Sequence, residues 1–352
     1  MASRRNALSA AVESIRSRLA RRDAPQESMK SSRDYVVLLY ETLLGRVPDP
    51  EGLAHYTEVL EQTGDLRLIV DALINSEEYA SGHAIPRAYD RLKWAPPIHV
   101  DVDVPDDVAH RLLQATAQVW RKLGETDAHW SVITRDDFRR EVFSEKAEAA
   151  FYETGGHEYI SLARIFERAG ESLESVETVF ELGCGAGRVT EALASNKKRV
   201  LAADISAPHL ALAAERMEKQ GITNVELKQI KSLVDFDMSE KFDLIYTVIV
   251  LQHNPPPVAF NILRQLLNSV NYGGYIFFQI PTYIFDYEFR YETYVPQDSS
   301  MEMHCVPMTS ILRLLSEKGY TLIEVFEDDR HGSDDIVSHM FLAQRSTAAA
   351  SA

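Results

Sequence analysis

The chain has 352 residues, 45% of them hydrophobic and 26% charged, with a formal net charge of −16 at pH 7. That length implies about two domains, and the charge excludes broad nucleic-acid binding, which rests on clustered Lys and Arg neutralising phosphates. The two cysteines, Cys184 and Cys305, exclude a disulfide framework or a cysteine-based zinc centre.

No apolar run approaches the roughly 20 residues of a membrane span, and no continuous apolar segment follows Arg4 and Arg5 as a secretory leader would. A cytoplasmic protein is the expectation. Charge is unevenly spread: residues 1–33 hold eight Lys/Arg against three acids, a net +5, so the remainder carries −21. Within that segment Leu8, Val12, Ile15 and Leu19 form one helical stripe with the arginines mainly off it. The segment is a candidate for peripheral contact with an anionic membrane surface, against docking on a protein.

Residues 34–95 read as a helical module. "DYVVLLYETLL" is an amphipathic helix ending near Gly45, "VPDPEGLAHYTEVLEQTG" restarts with Asp49 as N-cap and Pro50 at the first helical position and stops near Gly64, and "DLRLIVDALINSEEY" is a third helix. The stretch "LLGRVPDPEGLAHY" followed by "INSEEY" resembles a small helical module of unknown function found in bacterial surface and polysaccharide-related proteins. A docking or scaffolding role is the expectation, and no catalytic role transfers with the resemblance. Residues 96–150 form a helical connector or lid, 151–346 the main domain, and 347–352 a disordered tail.

From residue 176 onward strands at 177–182, 199–204, 224–229, 242–248 and 274–280 alternate with helices near 188–196, 208–220 and 257–270. This alternation predicts an α/β fold with a mostly parallel sheet. A helix at 309–318 is followed by strands 320–327 and 337–344, whose hairpin connection adds an antiparallel edge strand.

The stretch "VFELGCGAGRVTEAL" places glycines at 183, 185 and 187 between the first strand and its helix. Such a loop lets a nucleotide approach the backbone, but a plain tight turn needs glycine too. Asp204 ends the next strand, 17 residues past Gly187, where a carboxylate can accept from ribose hydroxyls. Glu181, just ahead of the loop, is placed to orient it or to meet a cationic amino group. A dinucleotide fingerprint would want a glycine at 188, where this chain has Arg188.

"ELGCGAGRVT", "AADIS", "FDLIYTVIVLQHNPPP" and "NYGGYIFFQIP" resemble, in order, four motifs of class I S-adenosylmethionine-dependent methyltransferases of the small-molecule branch. The resemblance spans roughly 140–345 and implies a Rossmann-like methyltransferase sheet with S-adenosyl-L-methionine as cofactor. It implies that Gly183, Gly185 and Gly187 pass beneath the methionine part, with Cys184 in the same loop, that Asp204 binds the ribose, and that Ile205 lies against the adenine. Val248 and Gln252, after the fourth strand, would face the cofactor, and His253 the methyl donor or acceptor. "FYETGG" resembles a lid segment, so Tyr152 and Gly155 would close over the site. Where many relatives have an Asp after the third strand, this chain has Lys231, Ser232 and Leu233, leaving the adenine contact to backbone groups there or to Asp235.

A hydroxyl acceptor needs a base. His253 and His304 are the candidates, His304 in "MEMHCVPM" also as part of the acceptor wall. Tyr283, Tyr287 and Tyr291 recur every four residues and suit either a sugar face or a core stripe. His331, in "EDDRHGSDD", is a candidate acceptor contact, and its loop reads as a solvated turn, with no metal expected. The resulting expectation is O-methylation of a sugar or glycan precursor, against a small natural product or amine, or a silent cofactor-binding subunit. A homo-oligomer remains open from sequence.

Overall fold

The computed structural model describes residues 31–44, 46–74, 76, 78, 95–297, 301–330, 333 and 335–347. The basic segment before residue 31, the tail after 347 and His331 lie outside the described residues. The chain divides into two compact units, residues 1–94 and 95–352.

The first unit contains α1 (Ser32–Leu43), α2 (Pro50–Thr63) and α3 (Leu66–Ile74). Its ends follow local chemistry. Asp34 reaches back to the Ser31 backbone and hydroxyl, the Asp49 carboxylate accepts from Gly52 N at 2.8 Å, and Gly64 ends α2 in the left-handed region. Val36, Leu39, Leu43, Leu60, Ile69 and Leu73 make a small core.

The second unit is built on a seven-stranded sheet: β1 (Thr178–Leu182), β2 (Arg199–Asp204), β3 (Val225–Gln229), β4 (Phe242–Thr247), β5 (Val270–Ile284), β6 (Tyr320–Asp328) and β7 (Ile336–Arg345). The spatial order is 3-2-1-4-5-7-6. β7 alone runs antiparallel, inserted between β5 and β6 one place in from the sheet's edge. Six helices pack with it: α4 (Asp106–Val132), α5 (Glu145–Arg168), α6 (Arg188–Ala194), α7 (Ala207–Lys219), α8 (Pro256–Leu266) and α9 (Met308–Glu317).

The sheet is buried on both faces, so its strands read as continuous apolar runs while successive residues serve opposite cores. Phe180 and Phe278 join α4, α8 and α9 in one cluster. Val179 and Phe277 join α5, α6 and α7 in the other. The strand order reverses between β1 and β4, and ligands in such sheets bind beyond the carboxyl ends of the strands at that point.

Two sequence expectations change. The boundary at 150/151 falls inside α5, whose Ser144 N-cap accepts from Ala147 N, so connector and sheet domain share one helix. Tyr283, Tyr287 and Tyr291 do not lie on a helix: β5 continues to Ile284, a turn follows, and Glu288–Phe289 pairs with His99–Val100 in a short parallel ladder.

Candidate cofactor and acceptor site

At the switch point a cavity of about 980 Å³, counting its open mouth, is lined by the ends of β1, β2 and β4 and roofed by α4. The loop after β1 is pinned in place because Gly183 N and Cys184 N both donate to Ala203 O, at 2.7 and 3.1 Å. Gly183 and Gly185 have φ of +78° and +53°, a region that side-chain-bearing residues rarely enter. Space forbids a side chain as well: a Cβ on Gly183 would lie 2.1 Å from Val250 Cγ2, and one on Gly185 2.8 Å from Val132 Cγ2. The loop's backbone therefore faces the cavity directly.

Asp204 fixes two elements at once. One carboxylate oxygen accepts from Gly185 N at 2.9 Å and the other from Ser206 N at 2.8 Å, at the start of α7. Each oxygen retains a second lone pair for a hydroxyl donor. Glu181 is 2% exposed, lines the cavity and accepts from Thr190 Oγ1 at 2.6 Å. Burial raises its pKa to about 7, so the site holds a carboxyl ready to ionise beside a cation.

The loop after β4 carries a strained residue. Ile249 has φ of +59°, an outlier for a β-branched side chain. Its N–H donates to Gln279 Oε1 at 3.1 Å, and Gln279 Nε2 donates in turn to Gln252 Oε1 and Ser338 Oγ. This buried network holds the strained turn against the cavity.

The roof has its own latch. Leu113, Thr116 and Trp120 face the cavity from one side of α4, and Ser131 and Val132 face it from beyond a break at Asp127. His209 of α7 ties this roof down, with Nδ1 2.7 Å from Ser206 Oγ and Nε2 2.9 Å from Ser131 Oγ. Gly124 permits the approach, since a Cβ there would lie 2.7 Å from His209 Nδ1.

Among the sequence candidates, Glu181, Gly183, Cys184, Gly185, Asp204, Ile205 and Val248 all line the cavity. Several do not. Gly187 starts α6 and packs on Ala213. Tyr152 and Gly155, expected as a lid, pack behind the glycine loop: Tyr152 donates to Ala186 O at 3.2 Å beneath the Arg216 guanidinium, and Gly155 touches the Arg188 backbone. Ser232 and Leu233 are also outside, their place taken by Ile230 and Phe236. Asp235 is turned away, accepting from Lys231 N, Ser232 N and Ser232 Oγ. Gln252 is buried in the network and does not reach the cavity wall.

A second chamber of about 330 Å³, counting its mouth, shares Thr116 and Trp120 with the first. His253, Tyr294, Met301, Glu302 and His304 line it. Both histidines line this chamber, and both ring nitrogens of His253 are engaged. Gln252 Nε2 donates to His253 Nε2 at 3.1 Å, and His253 Nδ1–H donates to Glu302 O at 3.0 Å. The Tyr287 hydroxyl lies 2.8 Å from His304 Nδ1 and hydrogen-bonds with it. Burial lowers both pKa values to about 4, leaving the rings neutral at pH 7. For His253 the expected base role is corrected, because both ring nitrogens are engaged and the ring positions its neighbours instead.

Tyr287 thus supports His304 from behind, while Tyr283 donates to Pro96 O and Tyr291 N to an Asp101 carboxylate oxygen. None of the three lines either cavity, which removes the expected sugar-stacking platform. Sequence reading missed Trp120, Ser131, His209, Tyr294 and Glu302. A signal existed for Trp120, because Leu113, Thr116 and Trp120 follow helical spacing.

Residues 179–274 match the family described as "Methyltransferase domain", and residues 23–82 match a domain of unknown function, DUF4214. A ubiquinone biosynthesis O-methyltransferase of Pseudomonas fluorescens strain Pf0-1 is 33% identical over 102 residues, 28% of this chain and 42% of that protein. The chain thus spans less than half the length of this curated relative. The magnesium protoporphyrin IX methyltransferase from Synechocystis PCC 6803, solved with bound SAH, is 16% identical with a TM-score of 0.46, over 66% of this chain and all of that one. The N-methyltransferase NodS from Bradyrhizobium japonicum WM9 gives 17% and 0.42, over 64% and 98%.

Proposed function

We propose that the chain is an S-adenosylmethionine-dependent methyltransferase acting on a small acceptor held in the second chamber. The carrying observation is the ring of Glu181, the Gly183–Gly185 backbone and Asp204 around one cavity at the switch point. These residues fit the cofactor. The unused lone pairs of Asp204 would take the ribose hydroxyls and Glu181 the α-ammonium. The apolar wall of Ile205, Ile230 and Phe236 would take the adenine. When bound, the cofactor supplies an electrophilic methyl on a sulfonium.

The protein's contribution is placement. Thr116 and Trp120 form the wall common to both chambers, so an acceptor beside Trp120 is held next to the cofactor cavity. Alignment of that kind removes much of the barrier to a displacement. His304 would meet the acceptor from the chamber wall, and the buried Gln252–Gln279 pair keeps that wall rigid. The glycan acceptor expected from the sequence keeps only the company of the N-terminal module as support, which is associational.

Two measurements test the reading. Calorimetry of the full chain with S-adenosylmethionine should give one site of micromolar affinity, and labelled methyl should pass to at least one small hydroxyl or amine compound in a panel. A folded chain that takes up no cofactor would sink the proposal.

The Glu181 carboxyl sets a pH dependence. Its native pKa of about 7 lies above the unfolded value, so the unliganded chain keeps this proton up to about pH 7. Its contribution to stability therefore declines as pH rises from the ordinary carboxylate range toward 7. A bound ammonium favours the ionised form, so cofactor affinity should rise from pH 5.5 to about 7, levelling before the ligand's own α-amino group deprotonates near about 8. Glu181→Gln should bind more weakly and flatten this rise. A slope unchanged in the variant would assign the effect elsewhere.

A further inference from the structure

We propose that the second chamber selects a phosphate-free ring compound, neutral or cationic, anchored through the Glu302 carboxylate. The inference rests on the methyltransferase reading and narrows its acceptor class, turning away from the phosphorylated sugars on which glycan assembly commonly draws.

The argument begins with charge. Among the described residues that line the chamber there is no Lys and no Arg. Its two histidines are held neutral by burial. Phosphate recognition in proteins relies on cationic side chains or convergent backbone N–H groups. Among the described residues of this wall the carboxylate is Glu302, and a phosphate placed beside it meets repulsion rather than pairing.

Glu302 is also built to receive a donor. Its Oε2 accepts from the Tyr294 hydroxyl at 2.7 Å and from Gln297 N at 3.3 Å. These contacts fix the carboxylate's orientation and leave Oε1 without a partner among the described residues. An acceptor's hydroxyl or ammonium fits that oxygen. The rest of the wall suits a ring. Trp120 stands edge-on to His253 with centroids 5.2 Å apart, Tyr294 packs against His304 at 5.7 Å, and Ala115, Val119, Pro255 and Met301 are apolar. Aromatic and apolar walls with one placed polar group are the usual form of a small-molecule pocket.

The test uses the full chain saturated with S-adenosylhomocysteine. Ligand-observed saturation-transfer NMR would compare tyramine, catechol and methyl β-glucoside with the phosphorylated counterpart of each. At least one unphosphorylated compound should bind, with its phosphorylated partner at least tenfold weaker. Glu302→Gln should weaken the bound compound about tenfold, with Glu302→Asp intermediate and S-adenosylhomocysteine affinity unchanged in both. Glu302→Lys should reverse the preference within the pair. Equal or tighter binding of the phosphorylated compounds, binding indifferent to Glu302→Gln, or no binding of any of the six would overturn the proposal. Failure to take up S-adenosylhomocysteine would instead contradict the methyltransferase reading itself.

Discussion

Replacing Asp204 with Ala should weaken S-adenosylmethionine binding by at least about a hundredfold while the chain stays folded. The carboxylate accepts from Gly185 N and Ser206 N in a buried setting, so truncation orphans two N–H donors at an expected cost of about 1–3 kcal/mol each. It also removes the acceptors proposed for the ribose, and hydrogen bonds to a charged group contribute about 1.5–3 kcal/mol. The melting temperature should drop by several degrees, because the glycine loop and the start of α7 lose their common tie. Asp204→Asn keeps one acceptor and should lose less. Calorimetry of both variants checks the ordering. Full-strength binding by the Ala variant would remove Asp204 from the site.

The second large effect concerns Gly155, a residue outside the cavity. An added Cβ would stand 1.8 Å from Arg188 O and 2.4 Å from its carbonyl carbon. Both atoms are backbone at the first turn of α6, so no side chain can swing away. Either α5 or the glycine loop must shift, and overpacking of this severity costs about 3 kcal/mol or more. Gly155→Ala should therefore lower the denaturant midpoint without changing the slope, and cofactor affinity should fall with it. The adjacent Gly156 has open space around its Cβ, and Gly156→Ala should be neutral or slightly stabilising, as helix propensity favours Ala. Similar stability of the two variants would contradict the close packing of α5 on the loop.

These two predictions mark where the sequence was informative. Residues that reach the cavity through local geometry were readable: Gly183 and Gly185 sit in a strand-to-helix turn, and Asp204 ends the next apolar run. The strand β2 was placed at its observed limits, because buried parallel strands are short, continuous and flanked by polar breaks. β5 was read too short for the same reason. Its expected span of 274–280 misses both ends, since the strand runs from Val270 to Ile284, with a register shift beside Pro281 that accommodates the missing N–H.

What stayed hidden depends on distant segments meeting. Nothing near Trp120 indicates that it faces a loop after β4, and His209 shows its latch role only once α4 lies across α7. The tyrosines at 283, 287 and 291 kept a helical spacing in an extended segment, a coincidence that periodicity alone does not resolve. His304 illustrates the limit most clearly. Its chemistry depends on burial and on the Tyr287 hydroxyl 2.8 Å from Nδ1, and neither leaves a trace in sequence.

The central claim is that the cavity between Glu181 and Asp204 is the cofactor site. A crystal structure of the full chain with S-adenosylhomocysteine tests it most directly. The account predicts the ribose hydroxyls on the Asp204 carboxylate and the α-ammonium on Glu181, with the homocysteine sulfur toward the wall formed by Thr116 and Trp120. Density for the ligand elsewhere, or with its amino group away from Glu181 and its ribose away from Asp204, would contradict it.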